Sequence, residues 1–337
     1  MKGRLIKNCL LFALLFGFSV QTGVVSGVAE TSYSKAECVM EADSRRILYE
    51  AHGDVRLPMA STTKIVTAIT VIENSKNLDE KFCVPEEAAG VEGSSVYLKA
   101  GEEISPRDLL YGLMLRSGND CAVALAVRTA GSVGRFSALM NATAQKAGAL
   151  NSRFRNPHGL PLNNHYTTAV DLSHITAYAM QNELFRQIVS TKYYEAKNWK
   201  NKNKMLATYE GAKGVKTGYT KEAGRCLVTA AERNGMTLIC TVLGCPMMYE
   251  RTKMLLDDSF SRYQMVDLVK KDEVLQISDN LQGRVAETIS YPMREEEREY
   301  VSIETRPYRE ETNEKIVGQF QIFFLKRLLF FGNLYKL

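Results

Sequence analysis

The chain lacks the residue patterns of several common classes of protein. It has only 4 histidines among 337 residues, too few and too scattered to predict a metal cluster. Its net charge of +5 at pH 7 is small, and it has no dense stripe of Lys and Arg with interleaved aromatic residues, so nucleic-acid binding is not expected. The 7 cysteines show neither zinc-ligand spacing nor the density of a small disulfide scaffold. With 45% apolar and 24% charged residues, the composition indicates a globular protein with one large domain and a smaller one.

The N-terminal residues predict an export signal. Three basic residues precede an apolar run that begins at Leu10, and a stretch of small residues follows and ends at Ala29, as in a secretory signal peptide. We therefore expect residues 1–29 to be removed and the mature chain to act outside the cytoplasm. The alternative is a retained N-terminal membrane anchor, but the apolar run is shorter than the roughly 20 residues of a spanning helix.

The most informative segment is Ser61-Thr62-Thr63-Lys64, where a hydroxyl and an amine lie three residues apart at the start of a predicted helix. Three residues are almost one helical turn, so both side chains share a face. A serine hydroxyl needs a base to become a good nucleophile, and a lysine can be that base if burial lowers its pKa. Apolar residues at helical spacing from Ile65 to Ile72 predict such burial. Taken alone, the segment is weak evidence, and a capping serine beside a solvated lysine is the favoured interpretation.

Two further motifs change that balance. Ser117-Gly118-Asn119 follows an apolar segment that predicts a helix entering a polar turn. Lys216-Thr217-Gly218 precedes two β-rich runs joined by Asn234-Gly235, a strong hairpin turn. Each motif is common, but their order and their contexts are jointly rare.

With these three motifs the chain resembles the active-site serine penicillin-recognising enzymes. The middle motif, Ser-Gly-Asn, and the phrases Asn156-Pro-His-Gly-Leu160 and Thr167-Thr-Ala-Val-Asp171 are similar to the D-alanyl-D-alanine carboxypeptidases, the low-molecular-mass penicillin-binding proteins. The resemblance runs from about residue 35 to about residue 265. It implies a serine-type peptidase of cell wall biogenesis that trims peptidoglycan stem pentapeptides and is acylated by β-lactam antibiotics.

The resemblance also implies a role for each motif residue, and it requires neither a metal nor a cofactor. The expected site residues are Ser61, Lys64, Ser117 and Asn119 for catalysis, the backbone N–H groups of Ser61 and Tyr219 for the oxyanion hole, and Lys216, Thr217 and Gly218 for substrate binding. Some relatives carry histidine where this chain has Tyr219, but the backbone N–H survives that difference. Asp171 is expected to have a structural or loop-orienting part.

The predicted fold is α+β, similar to the β-lactamase and transpeptidase fold. Strands near residues 36–50 and again after Lys216, with helices between them, predict one antiparallel sheet whose terminal strands pair. A helix is expected from Met247 to about Leu268. The predicted division is a catalytic domain at residues 30–268, a small C-terminal β domain at 269–316 and a hydrophobic tail at 317–337.

The tail allows two interpretations. Its two central charges argue against a spanning helix. Apolar residues at helical spacing from Phe320 to Tyr335 favour an amphipathic helix on the outer face of the cytoplasmic membrane. The segment from Gly318 also alternates like a strand, which would make the tail the last hairpin of the β domain.

Other points stay open in the sequence. The cysteines after Cys9 form an even set, so pairing is possible, although Cys121 and Cys226 are expected to be buried thiols. The alternatives for function are a catalytically idle cell-wall binding or scaffold protein and, less favoured, a β-lactamase. The latter would need a Glu-x-x-Leu-Asn segment after the middle motif, and the chain has none.

Overall fold

A computed structural model describes residues 34–308 and 315–337. The predicted signal segment, residues 1–29, lies outside the described residues. The helices are α1 (Lys64–Asn74), α2 (Pro106–Tyr111), α3 (Asn119–Ala130), α4 (Val133–Lys146), α5 (Ala169–Met180), α6 (Glu183–Ser190), α7 (Met205–Thr208) and α8 (Met248–Arg262). The strands are β1 (Ala36–Glu41), β2 (Ile47–Ala51), β3 (Phe82–Cys83), β4 (Glu103–Ile104), β5 (Tyr193–Tyr194), β6 (Trp199–Lys200), β7 (Ala212–Thr220), β8 (Gly224–Arg233), β9 (Met236–Leu243), β10 (Gln264–Val269), β11 (Val274–Ser278), β12 (Leu281–Val285), β13 (Ile289–Met293), β14 (Val301–Pro307), β15 (Ile316–Phe324) and β16 (Arg327–Tyr335).

A five-stranded sheet of order β2-β1-β9-β8-β7 forms the centre of the protein. Neighbouring strands are antiparallel. β1 comes from the start of the described chain and pairs with β9, which follows the helices, so the strands before and after the helices share one sheet as predicted. The Asn234-Gly235 turn joins β8 to β9, and both residues have positive φ, which asparagine and glycine tolerate best. This arrangement leaves β7, with Lys216-Thr217-Gly218, at the edge of the sheet.

The sheet is covered on both faces because its strands are apolar on both sides. On one face β8 packs Val228 against the helical cluster, which includes the buried Ile65 of α1. On the other face it packs Leu227 against Leu255 of α8. One face of the sheet therefore packs against the helical cluster that contains α1, and the other packs against α8.

The C-terminal strands form a second five-stranded sheet of order β11-β12-β16-β15-β14, with β10 paired to β13. Arg46, just before β2, connects this part to the central sheet. Its guanidinium donates to the Pro292 carbonyl at 2.6 Å and pairs with Glu297 at 2.6 Å. It also lies over the rings of Tyr263, Tyr291 and Phe324.

Two expectations for the C-terminal part were wrong. The tail at 317–337 is not an amphipathic helix, because β15 and β16 pair along their length and bury alternate residues such as Phe320 and Ile322. The strand interpretation describes it instead. The helix that was expected to reach Leu268 ends at Arg262, because β10 starts at Gln264 and pairs with β13. The domain division at residue 268 stays a prediction.

The described cysteines are free thiols. Cys121 and Cys226 are buried, as expected, and so are three others, whereas Cys83 is exposed. Within residues 34–308 and 315–337, no helix combines the length and apolar character needed to cross a membrane.

Candidate active site

Ser61 lies in a tight 3₁₀ turn, Ala60–Thr63, directly before α1. Ala60 has a φ of 51°, and the Thr62 hydroxyl donates to the Met59 carbonyl at 2.7 Å, which fixes the turn. Gly159, with a φ of 90°, packs against this turn. A Cβ there would lie 1.9 Å from the Ala60 carbonyl oxygen, so only glycine permits this approach.

Lys64 has no exposed surface, and its Nζ has three oxygen partners. Nζ lies 3.0 Å from Ser61 Oγ, 2.7 Å from Asn119 Oδ1 and 2.7 Å from the carbonyl oxygen of His158. Burial, together with the charge of Lys216, holds the pKa of Lys64 well below its usual range. A neutral amine has two N–H bonds and one lone pair. The two carbonyl-type oxygens can accept only the N–H bonds, which leaves the lone pair for the Ser61 hydroxyl.

Ser117 and Asn119 form one wall of the site. A π-helical turn, Gly112–Arg116, ends at Ser117, whose φ of 66° turns the chain sharply before α3. The Asn119 side chain is fixed at both ends, because Nδ2 donates to the Glu92 carbonyl at 2.5 Å while Oδ1 accepts from Lys64.

The edge strand β7 forms the opposite wall. Lys216 is almost fully buried and donates to the Thr217 carbonyl at 2.8 Å. Burial and the neighbouring charge of Lys202 lower the pKa of Lys216 to about 7. A Cβ on Gly218 would lie 3.0 Å from the Ser61 backbone nitrogen, so the strand passes very close to the nucleophile turn. The Tyr219 side chain is exposed.

A cleft of about 400 Å³ joins these walls. The predicted residues Ser61, Ser117, Thr217, Gly218 and Tyr219 line it, whereas Lys64, Asn119 and Lys216 lie behind its surface. The structure therefore brings every predicted site residue into one region.

Several residues of this region were not predicted from the sequence. The cleft is also lined by Ser94, Lys202, Arg225, Met248 and Tyr249. Asp120, next to the predicted Asn119, was also missed. Its carboxylate accepts from Ser95 Oγ at 2.6 Å and from the Val96 and Leu98 N–H groups, which holds the loop that carries Ser94. Of these residues, Arg225 could have been predicted from the sequence, because a β7–β8 hairpin places it opposite Tyr219.

Asp171 lies at a different place. Its Oδ2 accepts from the Asn151 backbone at 2.6 Å and from Ser152 Oγ at 2.7 Å. These contacts fix the start of the 151–166 loop, which agrees with the expected loop-orienting part. In the described ranges, no group of three or more His, Cys, Asp and Glu side chains is arranged to hold a metal ion.

Comparison with known proteins gives a consistent result. A family model described as D-alanyl-D-alanine carboxypeptidase matches residues 24–247. The D-alanyl-D-alanine carboxypeptidase DacF of Bacillus subtilis is 32% identical over 291 residues, which cover 81% of this chain and 75% of that protein. The D-alanyl-D-alanine carboxypeptidase of Streptomyces sp. strain K15 is 40% identical over 219 residues, or 58% of this chain and 75% of that one. The crystal structure of penicillin binding protein 5 from Haemophilus influenzae superposes with a TM-score of 0.74 at 25% identity, covering 90% of this chain and 96% of that one.

Proposed function

The chain belongs to the D-alanyl-D-alanine carboxypeptidase family, and we propose that it removes the terminal D-alanine of peptidoglycan stem pentapeptides through an ester formed on Ser61. It is a serine-type peptidase of the low-molecular-mass penicillin-binding proteins, with peptidoglycan peptides as substrates and β-lactams as ligands of the family. The assignment of individual residues is our proposal.

The observation that carries this assignment is the environment of Lys64. Its Nζ is buried, two oxygens take its N–H bonds, and Ser61 Oγ lies 3.0 Å away. Lys64 accepts the hydroxyl proton as Ser61 Oγ attacks the carbonyl carbon between the two D-alanines. A tetrahedral oxyanion forms, and the backbone N–H groups of Ser61 and Tyr219 donate to it.

Collapse of the oxyanion breaks the peptide C–N bond. Ser117 relays a proton from Lys64 to the departing nitrogen, and free D-alanine leaves. Water then attacks the Ser61 ester by the same base catalysis, which releases the shortened peptide and restores the hydroxyl. Asn119 holds the substrate backbone, Lys216 and Thr217 bind the terminal carboxylate, and Gly218 leaves room for the substrate along β7.

The test is the intact mass of the mature protein over time after addition of a penicillin. We expect a one-drug adduct that persists for many minutes in the wild type and is absent in Ser61→Ala. Release of D-alanine from a pentapeptide should be lost in the same variant. No adduct in the wild type would favour the idle scaffold, and an adduct lost within seconds as hydrolysed drug accumulates would favour a β-lactamase.

The family acts on the cell wall, which is consistent with action outside the cytoplasm. We propose that residues 1–29 direct export and are then removed. Sequencing of the N-terminus of the secreted protein should give Glu30 as its first residue. Full-length protein retained in the cell would contradict the proposed cleavage.

We also propose that the β15–β16 hairpin contacts the outer face of the cytoplasmic membrane. Phe323 pairs with Leu328 and Gln321 with Phe331, so these residues share one face of the sheet. Leu328 is 48% exposed and Phe331 is 74% exposed. The connecting turn adds the exposed Leu325 and Lys326, and Arg327 follows at the start of β16. Apolar side chains beside cations suit the headgroup region of an anionic bilayer.

Flotation with lipid vesicles tests this contact. The wild type should bind vesicles that contain phosphatidylglycerol more strongly than pure phosphatidylcholine vesicles. The double variant Leu328→Ser, Phe331→Ser should lose most of this binding. Tyr97→Ser is the matched control, because Tyr97 is an exposed aromatic residue outside the hairpin. Equal binding by the double variant and the control would contradict the contact.

A further inference from the structure

The segment Asn156-Pro-His-Gly-Leu160 is a motif whose side chains the proposed mechanism does not use. It lies against α1, and two of its successive carbonyl groups accept hydrogen bonds from that helix. Thr67 Oγ1 donates to the Pro157 carbonyl at 2.7 Å, and Lys64 Nζ donates to the His158 carbonyl at 2.7 Å. Residues three apart share a face of a helix, so the placement of this segment decides where Lys64 finds an acceptor.

One peptide group of this segment has a hydrogen bond at each end. The His158 carbonyl and the Gly159 N–H belong to the same trans peptide group, so they point in opposite directions. The carbonyl accepts from Lys64 Nζ at 2.7 Å, and the N–H donates to Asn156 Oδ1 at 2.7 Å. Because hydrogen bonds in a chain polarise one another in a buried setting, Asn156 and Lys64 are coupled through this single planar unit.

Gly159 makes this peptide group dependent on its hydrogen bonds. Its φ is 90°, and glycine tolerates a wide range of φ, so the backbone torsions alone do not fix the orientation of the His158 carbonyl. The Asn156 side chain supplies this constraint. It is 6% exposed, its Nδ2 donates to the Leu160 carbonyl at 2.9 Å, and its Oδ1 also accepts from the His158 N–H at 3.3 Å. These contacts hold the amide on both sides of the peptide group.

We propose that Asn156 is a positioning residue for the acylation of Ser61. It orients the His158 carbonyl so that this oxygen takes one N–H bond of Lys64, which leaves the lone pair of the amine for the Ser61 hydroxyl. Without that acceptor, the amine retains Asn119 as its N–H partner and can rotate about the bond between Cε and Nζ. The lone pair then faces Ser61 for only part of the time. This role rests on the proposed function, because it takes Lys64 as the base.

Stopped-flow mixing with a penicillin at several concentrations separates the Kd of the non-covalent complex from the limiting rate of acylation. In Asn156→Ala the limiting rate should fall about 10- to 100-fold, as expected when a general base is misplaced. The Kd should stay unchanged, because Asn156 does not line the cleft. A fall in the rate without a change in Kd is not the effect of a distorted binding site.

Asn156→Asp tests the same contact with an oxygen still in place. The carboxylate keeps the acceptor for the Gly159 N–H, so the limiting rate at alkaline pH should return close to that of the wild type. Acylation needs neutral Lys64, and the rate therefore rises with pH through the pKa of that amine. The added negative charge favours the ammonium form and raises this pKa, so the rise should move to higher pH. The other ionisable groups around Lys64 are unchanged in this variant, and they are Lys216, Cys121, Asp120, Lys202 and His158.

The matched control is Asn141→Ala. Asn141 holds the same 151–166 loop at Phe154, where its Oδ1 accepts from the N–H at 2.9 Å and its Nδ2 donates to the carbonyl at 2.8 Å. This variant should lose a similar amount of stability in urea and keep the wild-type rate of acylation. Equal slowing in Asn141→Ala and Asn156→Ala would overturn the role of Asn156.

Asn156→Asp also tests the role if Asn156→Ala does not fold. A folded Asn156→Asp whose limiting rate stays low at alkaline pH would overturn the role, and so would an unmoved pH profile. These outcomes are distinct from failure of the proposed function, in which the wild type itself forms no penicillin adduct and releases no D-alanine.

Discussion

The buried ion pair between Glu37 of β1 and Arg251 of α8 predicts a large loss of stability when one partner is removed. Arg251 Nε and Nη2 each donate to one oxygen of Glu37 at 2.8 Å, and the two side chains are 3% and 0% exposed. Tyr49 joins the network through its hydroxyl, which lies 3.1 Å from Glu37 Oε2 and 3.1 Å from Arg251 Nη2. The pair ties α8 to the sheet.

In Arg251→Met the Glu37 carboxylate stays buried without its cation. Breaking a buried pair in this way costs about 3–5 kcal/mol, because the remaining charge has lost its compensation. Replacing both partners, with Glu37→Leu added, removes the stranded charge. The double variant should therefore be more stable than the sum of the single variants predicts, with a coupling of about 2–3 kcal/mol.

Urea unfolding of the wild type, both single variants and the double variant measures this cycle. Arg107 and Asp79 provide a matched control, because they form the same two-point geometry at 2.6 and 3.0 Å on the surface. Arg107→Met should shift the midpoint little, since solvent screens an exposed pair. Two results would contradict this reasoning. In one, Arg251→Met lowers the free energy of unfolding no more than Arg107→Met does, and in the other, the losses in Arg251→Met and Glu37→Leu simply add in the double variant. Either result would mean that burial does not set the strength of this pair.

Three further outcomes follow from the site and the cysteines. Lys64→Met should slow acylation by penicillin at least about 100-fold, because general base catalysis is lost, and an unchanged rate in stopped-flow mixing would remove Lys64 as the base. Binding of the substrate carboxylate by protonated Lys216 makes kcat/KM fall as pH rises through its pKa of about 7. Since burial and then Lys202 lower that pKa, Lys202→Gln should move the alkaline fall to higher pH, and a fall that stays in place would argue against this coupling. In the folded protein a thiol reagent should label Cys83 first among the six described cysteines, and peptide mapping that finds a buried one labelled equally fast would contradict the described burial.

Much of the fold was accessible from the sequence because local patterns and tertiary packing agree there. The period of the apolar residues after Lys64 predicts a buried helix face, and Ile65, Ala68 and Ile69 are indeed buried. The Asn234-Gly235 turn fixes the β8–β9 hairpin through its need for positive φ. The tail was misjudged because Phe320, Phe324 and Leu328 fit helical spacing while neighbouring residues fit strand alternation. β15 and β16 pair with each other, and β16 also pairs with β12, a contact between distant parts of the chain that local spacing does not show.

The site was predictable to the extent that its chemistry lies in side chains of recognisable motifs. The carbonyl oxygen of His158 was not predictable, because every residue carries a carbonyl and only the fold brings this one to Lys64. Lys202 and Tyr249 also reach the cleft only through tertiary packing. Arg225 differs, since the β7–β8 register places it next to Tyr219 once the hairpin is known.

The position of β1 has a consequence for how the chain acquires its structure. β1 pairs with β9, although the two strands are about 200 residues apart in the chain. Every residue of β1 is buried in the final sheet, so the early β1–β2 hairpin has an open apolar edge until β9 arrives. Closing so long a loop is slow, and an open edge invites pairing with other chains in the meantime. Refolding of the denatured protein should therefore give its best yield at high dilution, where β9 of the same chain reaches β1 before a strand of another chain does.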